Sequence, residues 1–212
     1  MQAKPSLVRA AALTALVCLA ASALGAQANE AQAAYEAGDY QEAVALGLKA
    51  VEAQPGEVGG YLVLCWAYLR LKNWDGALTY ANKALPAHRY DYRLVEILGR
   101  ATYNLGRNEE SLRWFQEYVS LLPEGTQAGP IYYLMGEIYM RLGRYAHADI
   151  CFTAAVNYMP TDAYAWFRLG YSRERAGDYR NALEAYAQSL KLNPGLKDPA
   201  LGKERVERLL RG

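Results

Sequence analysis

The sequence predicts an all-α fold, a helical solenoid of about five helix-turn-helix repeats closed by a C-terminal capping helix. Three observations carry that prediction. Trp166, Leu169, Gly170, Gly177, Tyr179, Ala182, Tyr186 and Pro194 each have a counterpart 34 residues earlier, in Tyr132, Met135, Gly136, Gly143, Tyr145, Ala148, Phe152 and Pro160. Self-similarity at such a period marks a stacked repeat array. Inside each period a small residue and an aromatic recur around a short turn, with apolar residues at helical spacing. The composition agrees, since 52% hydrophobic and 12% aromatic residues in 212 suit one ordinary soluble domain.

Taken in order, residues 1–28 read as an export signal. Lys4 and Arg9 precede an uncharged run from Ala10 to Gly25, and Ala26-Gln27-Ala28 supplies a small-x-small cleavage site. Cleavage is expected after Ala28, with Ala23 as an earlier alternative. The run is shorter and richer in alanine than a spanning helix needs, although retention as an anchor stays open. Cys18 follows Val17, so it lacks the small residue a lipobox requires. Without Lys4 and Arg9 the mature product keeps 21 Lys and Arg against 22 Asp and Glu, a net charge of −1. No global field favours nucleic acid or anionic lipid.

The solenoid proper is expected over 29–195. The first repeat, 29–55, is truncated, with the turn Gly38-Asp39-Tyr40 followed by Ala43 and Ala50. The second, 58–89, departs from the pattern: Lys72 stands at the turn-glycine position, and Pro86 should end its second helix early. The third covers 92–123. The period then lengthens to 37 residues because Glu124–Gly129 extends the connection to the fourth repeat, 129–160. The fifth spans 163–194. Asp91 and Asp162 are placed to cap first helices, and Pro130 sits in a first turn where proline is tolerated. Residues 196–212 alternate Leu201, Val206, Leu209 and Leu210 with charged residues, as a helix covering the array's last exposed face would.

These landmarks resemble the tetratricopeptide repeat. The resemblance implies a right-handed α-solenoid whose first helices line a concave groove that binds protein or peptide partners. Chaperone adaptors of that family clamp a terminal carboxylate with a Lys, Asn and Arg set. Leu62, Trp66, Ile97, Pro130 and Leu134 occupy the corresponding places here, so that ligand is not implied.

A helical glycine is about 1 kcal/mol less favourable than alanine. Gly99, Gly136 and Gly170 are therefore expected to serve close helix approach, facing Ser111, Ala148 and Ala182 on the paired helix. Gly136→Leu should overpack, while Gly136→Ala should be far milder. Cys65 and Cys151 read as buried small hydrophobes. No catalytic set is legible: His88 and His147 are the only histidines and lie in different repeats. No metal-ligand spacing, phosphate loop or nucleophile elbow occurs, so neither enzyme activity, metal nor cofactor is expected.

At 100° per residue each first helix has a second apolar face opposite its packing face. By the resemblance this face would line the groove, with candidate partner-binding residues Trp66, Arg70, Arg100, Tyr103, Tyr133, Glu137, Arg141, Tyr164, Phe167, Arg168, Tyr171 and Arg175. Leu62, Val63, Leu69, Arg93, Glu96, Ile97, Asn104, Leu134, Met140 and Glu174 would line the groove with them. Tyr, Trp and Arg are the types enriched at interface hot spots. Alanine at Phe167, Tyr171 or Tyr133 is accordingly expected to spare folding and weaken binding. The function expected is a non-catalytic interaction scaffold of the bacterial cell envelope, located in the periplasm or outside the cell, without stable membrane insertion after signal cleavage. Two alternatives remain: a carrier of an apolar small molecule or lipid, and an assembly component that makes its contacts through the convex face or the ends.

Overall fold

The structure, a computed structural model, describes residues 28–211. Apart from Ala28, the expected export segment with Lys4, Arg9 and Cys18 lies outside the described residues. Those residues form helices and turns with no strand. Helix α1 covers 28–37. It is followed by α2 (Tyr40–Ala53), α3 (Val58–Arg70), α4 (Trp74–Ala84), α5 (Tyr92–Asn104) and α6 (Asn108–Leu121). Then come α7 (Ala128–Arg141), α8 (Tyr145–Tyr158), α9 (Ala163–Ala176), α10 (Tyr179–Leu192) and α11 (Lys197–Arg211). The chain divides into two compact halves between Gly106 and Arg107, inside the third repeat.

Capping and turn chemistry set the helix boundaries. Asp91 accepts a hydrogen bond from the Arg93 amide at 2.9 Å, and Asp162 accepts from the amides of Tyr164 and Ala165 at 2.8 and 3.1 Å. These bonds satisfy donors that have no partner within the helix. Helix α7 begins earlier than the sequence suggests, taking in Ala128 and Gly129. A Cβ on Gly129 would lie 2.8 Å from Met159 Cγ, so the missing side chain lets the helix start against the end of α8.

Gly38, Gly106, Gly143 and Gly177 turn the chain between paired helices with φ of +88°, +73°, +69° and +83°. Lys72 makes the same turn at φ +58°. A Cβ in this region is crowded by its own carbonyl, whereas glycine is not.

In the C-terminal half, paired helices interlock through rings and missing side chains. A Cβ on Gly136 would lie 2.6 Å from Phe152 Cε1, and one on Gly170 would lie 2.7 Å from Tyr186 Cδ1. The expected partners Ala148 and Ala182 are buried one turn away, but each glycine's tight contact is with the aromatic ring. Gly136→Ala is therefore expected to destabilise as well, though less than Gly136→Leu, because the ring of the fully buried Phe152 must shift to admit the new methyl group. A clash of about 1 to 3 kcal/mol outweighs the roughly 1 kcal/mol that alanine gains in helix propensity.

In the N-terminal half the close approach is aliphatic: a Cβ on Gly47 would lie 3.0 Å from Leu64 Cβ. Cys65 is fully buried, and its thiol lies 3.5 Å from the Ala77 carbonyl. Burial pushes the Cys65 thiol up to about 12 and Cys151 up to about 11, so both stay protonated and behave as small packing residues. Leu62, Val63 and Ile97 are only 2%, 5% and 1% exposed, so they are core residues and cannot line a groove. Neighbouring first helices α3 and α5 also touch each other.

The turn at Lys72 generates a stability prediction. Lys72→Gly removes left-handed strain at an exposed residue, and should raise stability by about 1 kcal/mol. An unchanged or lower urea midpoint would contradict this.

Candidate partner-binding surface

In the C-terminal half the candidate residues lie on α7 and α9, and several of them reach the rings of the paired helices. Tyr133 packs edge-on against Phe152, with ring centroids 5.5 Å apart. Arg168 and Glu137 bind each other through two hydrogen bonds, Nε to Oε1 and Nη2 to Oε2, the latter at 2.9 Å. Both side chains are about four-fifths buried, and the Arg168 guanidinium also lies over the Phe152 and Tyr171 rings at 5.7 and 5.4 Å. This pair is a neutral strut between α7 and α9. It is not a spare charge awaiting a ligand.

Phe167 stacks on both Tyr171 and Tyr186 with centroids 6.2 Å apart, and packs on the core formed by Ala182, Tyr186 and Val206. Alanine at Phe167 therefore removes fold-stabilising contact, contrary to the expectation of a purely exposed anchor. Tyr133 is half-buried and also carries internal packing. Tyr164, in contrast, is 58% exposed at the start of α9. Arg141 and Arg175 are exposed on α7 and α9.

In the N-terminal half Trp66 is half-buried, with its ring 6.2 Å from Tyr35, which in turn lies 5.5 Å from Tyr40. The exposed Arg70 lies over the Tyr40 ring at 5.0 Å. Arg100 donates to Glu96 at 2.7 Å one turn earlier, and Tyr103 is half-buried beyond it. Arg93 likewise donates to Asp91, whose carboxyl feels burial upward but hydrogen bonds and charge from Arg93 more strongly downward. The candidate residues thus form two surfaces, one on each half, and several of the arginines are internally neutralised.

Sequence reasoning passed over the contacts that fasten α11. The Tyr186 ring is clasped between Gly170 and Gly202, where a Cβ on Gly202 would lie 2.5 Å from Tyr186 Cζ. The Tyr186 hydroxyl donates to Glu174 Oε2 at 2.6 Å, and Arg205 donates to both Glu174 oxygens at 2.6 and 2.7 Å. Glu174 is only 9% exposed. Burial alone would raise its carboxyl, but hydrogen bonds from Arg205 and Tyr186 and the nearby arginine charges hold it below its ordinary value. Helices α9, α10 and α11 therefore meet at one carboxylate. No cluster of three His, Cys, Asp or Glu side chains suited to a metal occurs among the described residues.

That carboxylate makes the attachment of α11 sensitive to acid. Because its folded pKa is depressed, the stabilisation is fully present above the ordinary glutamate value of 4.5 and is lost as pH falls through the folded value. Amides of α11 should lose hydrogen-exchange protection in that window before those of α8. Arg205→Ala should remove protection already at neutral pH, costing about 1 kcal/mol, a low figure for charged hydrogen bonds because Arg205 is 44% exposed. Equal protection of α8 and α11 across the window would contradict the latch.

Known proteins fit this architecture. Family models for the tetratricopeptide repeat match residues 34–98 and, as two consecutive copies, 129–162 and 163–196. The BBSome complex member BBS4 of Bos taurus is 27% identical over 147 residues, covering 69% of this chain and 26% of that protein, so the chain spans about a quarter of its relative. Among solved structures, MamA superposes with a TM-score of 0.73 at 19% identity, over 81% of this chain and 92% of MamA. YrrB, described as a TPR protein with an unusual peptide-binding site, gives 0.72 at 21% identity over 84% and 90%. The pilF protein of Pseudomonas aeruginosa gives 0.73 at 15% identity over 91% and 86%. At these identities the solved structures share the fold. With more than half its length matched by the family's own repeats, the chain belongs to the tetratricopeptide repeat family.

Proposed function

We propose that this protein is a non-catalytic scaffold of the bacterial cell envelope that binds a partner peptide or helix on the exposed faces of its first helices. The family in general consists of non-catalytic interaction scaffolds, and YrrB, described as having an unusual peptide-binding site, supports a peptide ligand for the fold. The observation that carries the reading is the surviving surface chemistry of α3 and α9. After internal packing and ion pairing are subtracted, aromatic and arginine side chains still face solvent at Tyr164, Arg70 and Arg175. Such residues combine large contact area with a polar handle. Export rests on Lys4, Arg9, the alanine-rich run and Ala26-Gln27-Ala28. No helix among the described residues is long and apolar enough to cross a membrane.

Site-specific photo-crosslinking in envelope fractions tests the proposal. A photoreactive residue at Tyr164 should capture a discrete protein partner, whereas one at Ile150, 67% exposed on the second helix α8, should not. Tyr164→Ala should leave the melting temperature unchanged and weaken partner binding by roughly tenfold or more. Capture from Ile150 alone would move the contact to the outer face and defeat the reading.

A further inference from the structure

Two arginines on the first-helix faces recur in one arrangement that repeat packing does not require. In the N-terminal half, Tyr40 follows the turn glycine Gly38 by two residues, and Arg70 of the next repeat lies over its ring with Cζ 5.0 Å from the centroid. In the C-terminal half, Tyr145 follows Gly143 by two residues, and Arg175 of the next repeat lies over it at 4.6 Å. Each arginine comes 30 residues after its tyrosine, two before the next turn residue. A second ring adjoins each station. Tyr35 lies beside Tyr40, while Tyr171 lies 5.9 Å from the Arg175 guanidinium and its hydroxyl accepts from Arg175 Nη1 at 3.2 Å.

The corresponding pairs elsewhere are Trp74 with Asn104 and Asn108 with Arg141, so the tyrosine and arginine occur together only at these two places among the four. A cation in the last turn of a helix is favoured by the helix dipole, but that effect needs no tyrosine beneath it.

The electrostatic setting separates these arginines from their neighbours. Arg100, Arg168 and Arg205 hold Glu96, Glu137 and Glu174, and Arg93 holds Asp91. Among the described residues neither Arg70 nor Arg175 has a carboxylate at ion-pair distance. Arg175 gives two of its five donors to the phenol oxygens of Tyr171 and Tyr145. The rings hold each guanidinium by cation–π contact, which orients the fork and leaves donors toward solvent.

We propose that Arg70 and Arg175, one on each half, are equivalent stations that each receive an aspartate or glutamate side chain, so that the ligand at each is an acidic peptide with aromatic or aliphatic residues beside its acids. This rests on the reading of the first-helix faces as the binding surface. A pre-oriented guanidinium matches a carboxylate through two parallel N–H···O bonds, and the Tyr40 and Tyr171 rings supply apolar surface next to it. A nucleic acid strand needs a continuous basic track. Here Arg93, Arg100 and Arg168 of the first helices are each paired with a carboxylate, and the chain's formal net charge is only +1.

The test is fluorescence anisotropy of the full mature chain with a labelled Glu-Tyr copolymer, compared with a Lys-Tyr copolymer and an oligothymidylate. The Glu-Tyr probe should bind in a salt-sensitive manner. Arg70→Gln and Arg175→Gln should each weaken it about fivefold to tenfold, the double variant more, and Arg→Lys should restore only part because lysine lacks the fork. Unchanged circular dichroism would show that the variants fold, as expected for exposed side chains. If the Arg→Gln variants keep wild-type affinity while Tyr164→Ala loses it, the stations are wrong and the binding surface stands. If none of the variants matters, or the probe fails to bind, both readings fall. Equal binding of oligothymidylate, lost in the same variants, would overturn the peptide assignment.

Discussion

Everything in the C-terminal half depends on an exchange between helices: a side chain is absent from one so that a ring on its partner can be buried completely. Gly136 gives way to Phe152, and Gly170 and Gly202 give way to the two sides of Tyr186. A helical glycine is less favourable than alanine by about 1 kcal/mol, while full burial of an aromatic ring stabilises by about 2 to 3 kcal/mol, so the exchange is favourable at each site. Tyr186 takes the principle furthest. Its ring fixes α9 and α11 against α10, and its hydroxyl organises the Glu174 carboxylate that Arg205 then grips.

The interlock also determines what is left to bind a partner. Because Leu169 and Gly170 face the paired helix, the opposite side of α9 must carry Tyr164, Arg168, Tyr171 and Arg175. Much of that side is then used internally. Glu137 and Arg168 brace α7 against α9, Phe167 joins the core under α11, and Glu174 belongs to the latch. The chemistry remaining at the surface is narrower than the sequence suggests: one well-exposed tyrosine on α9 and arginines held on aromatic rings. A surface of this kind discriminates by charge and geometry more than by apolar area.

Legibility in the sequence followed the range of the physics involved. Helix pairing, turn glycines and the caps at Asp91 and Asp162 depend on residues within a few positions of one another, and the period exposes them directly. Lys72 could be located as a departure from the pattern, although only the structure shows that it adopts the turn conformation instead of abolishing the turn. Contacts between successive repeats were harder to see. A 100° projection distinguishes front from back but not groove from flank, which is why Leu62, Val63 and Ile97 seemed to face a ligand when they are buried in the core. Glu174 and Arg205 are 31 residues apart, one of them in a helix that lies outside the repeat, so no period could pair them. The tyrosine–arginine stations were visible in principle, as a Gly-x-Tyr turn followed 30 residues later by arginine.

The central claim, that the missing side chain at Gly136 exists for the ring of Phe152, is tested most directly by a double-mutant cycle between Gly136→Ala and Phe152→Leu, read by urea denaturation. Each substitution alone should destabilise, the first by crowding and the second by lost ring contact. Together they should cost at least about 1 kcal/mol less than the sum, because the smaller leucine makes room for the new methyl group. Strict additivity, or a Gly136→Ala variant more stable than the parent, would contradict the interlock.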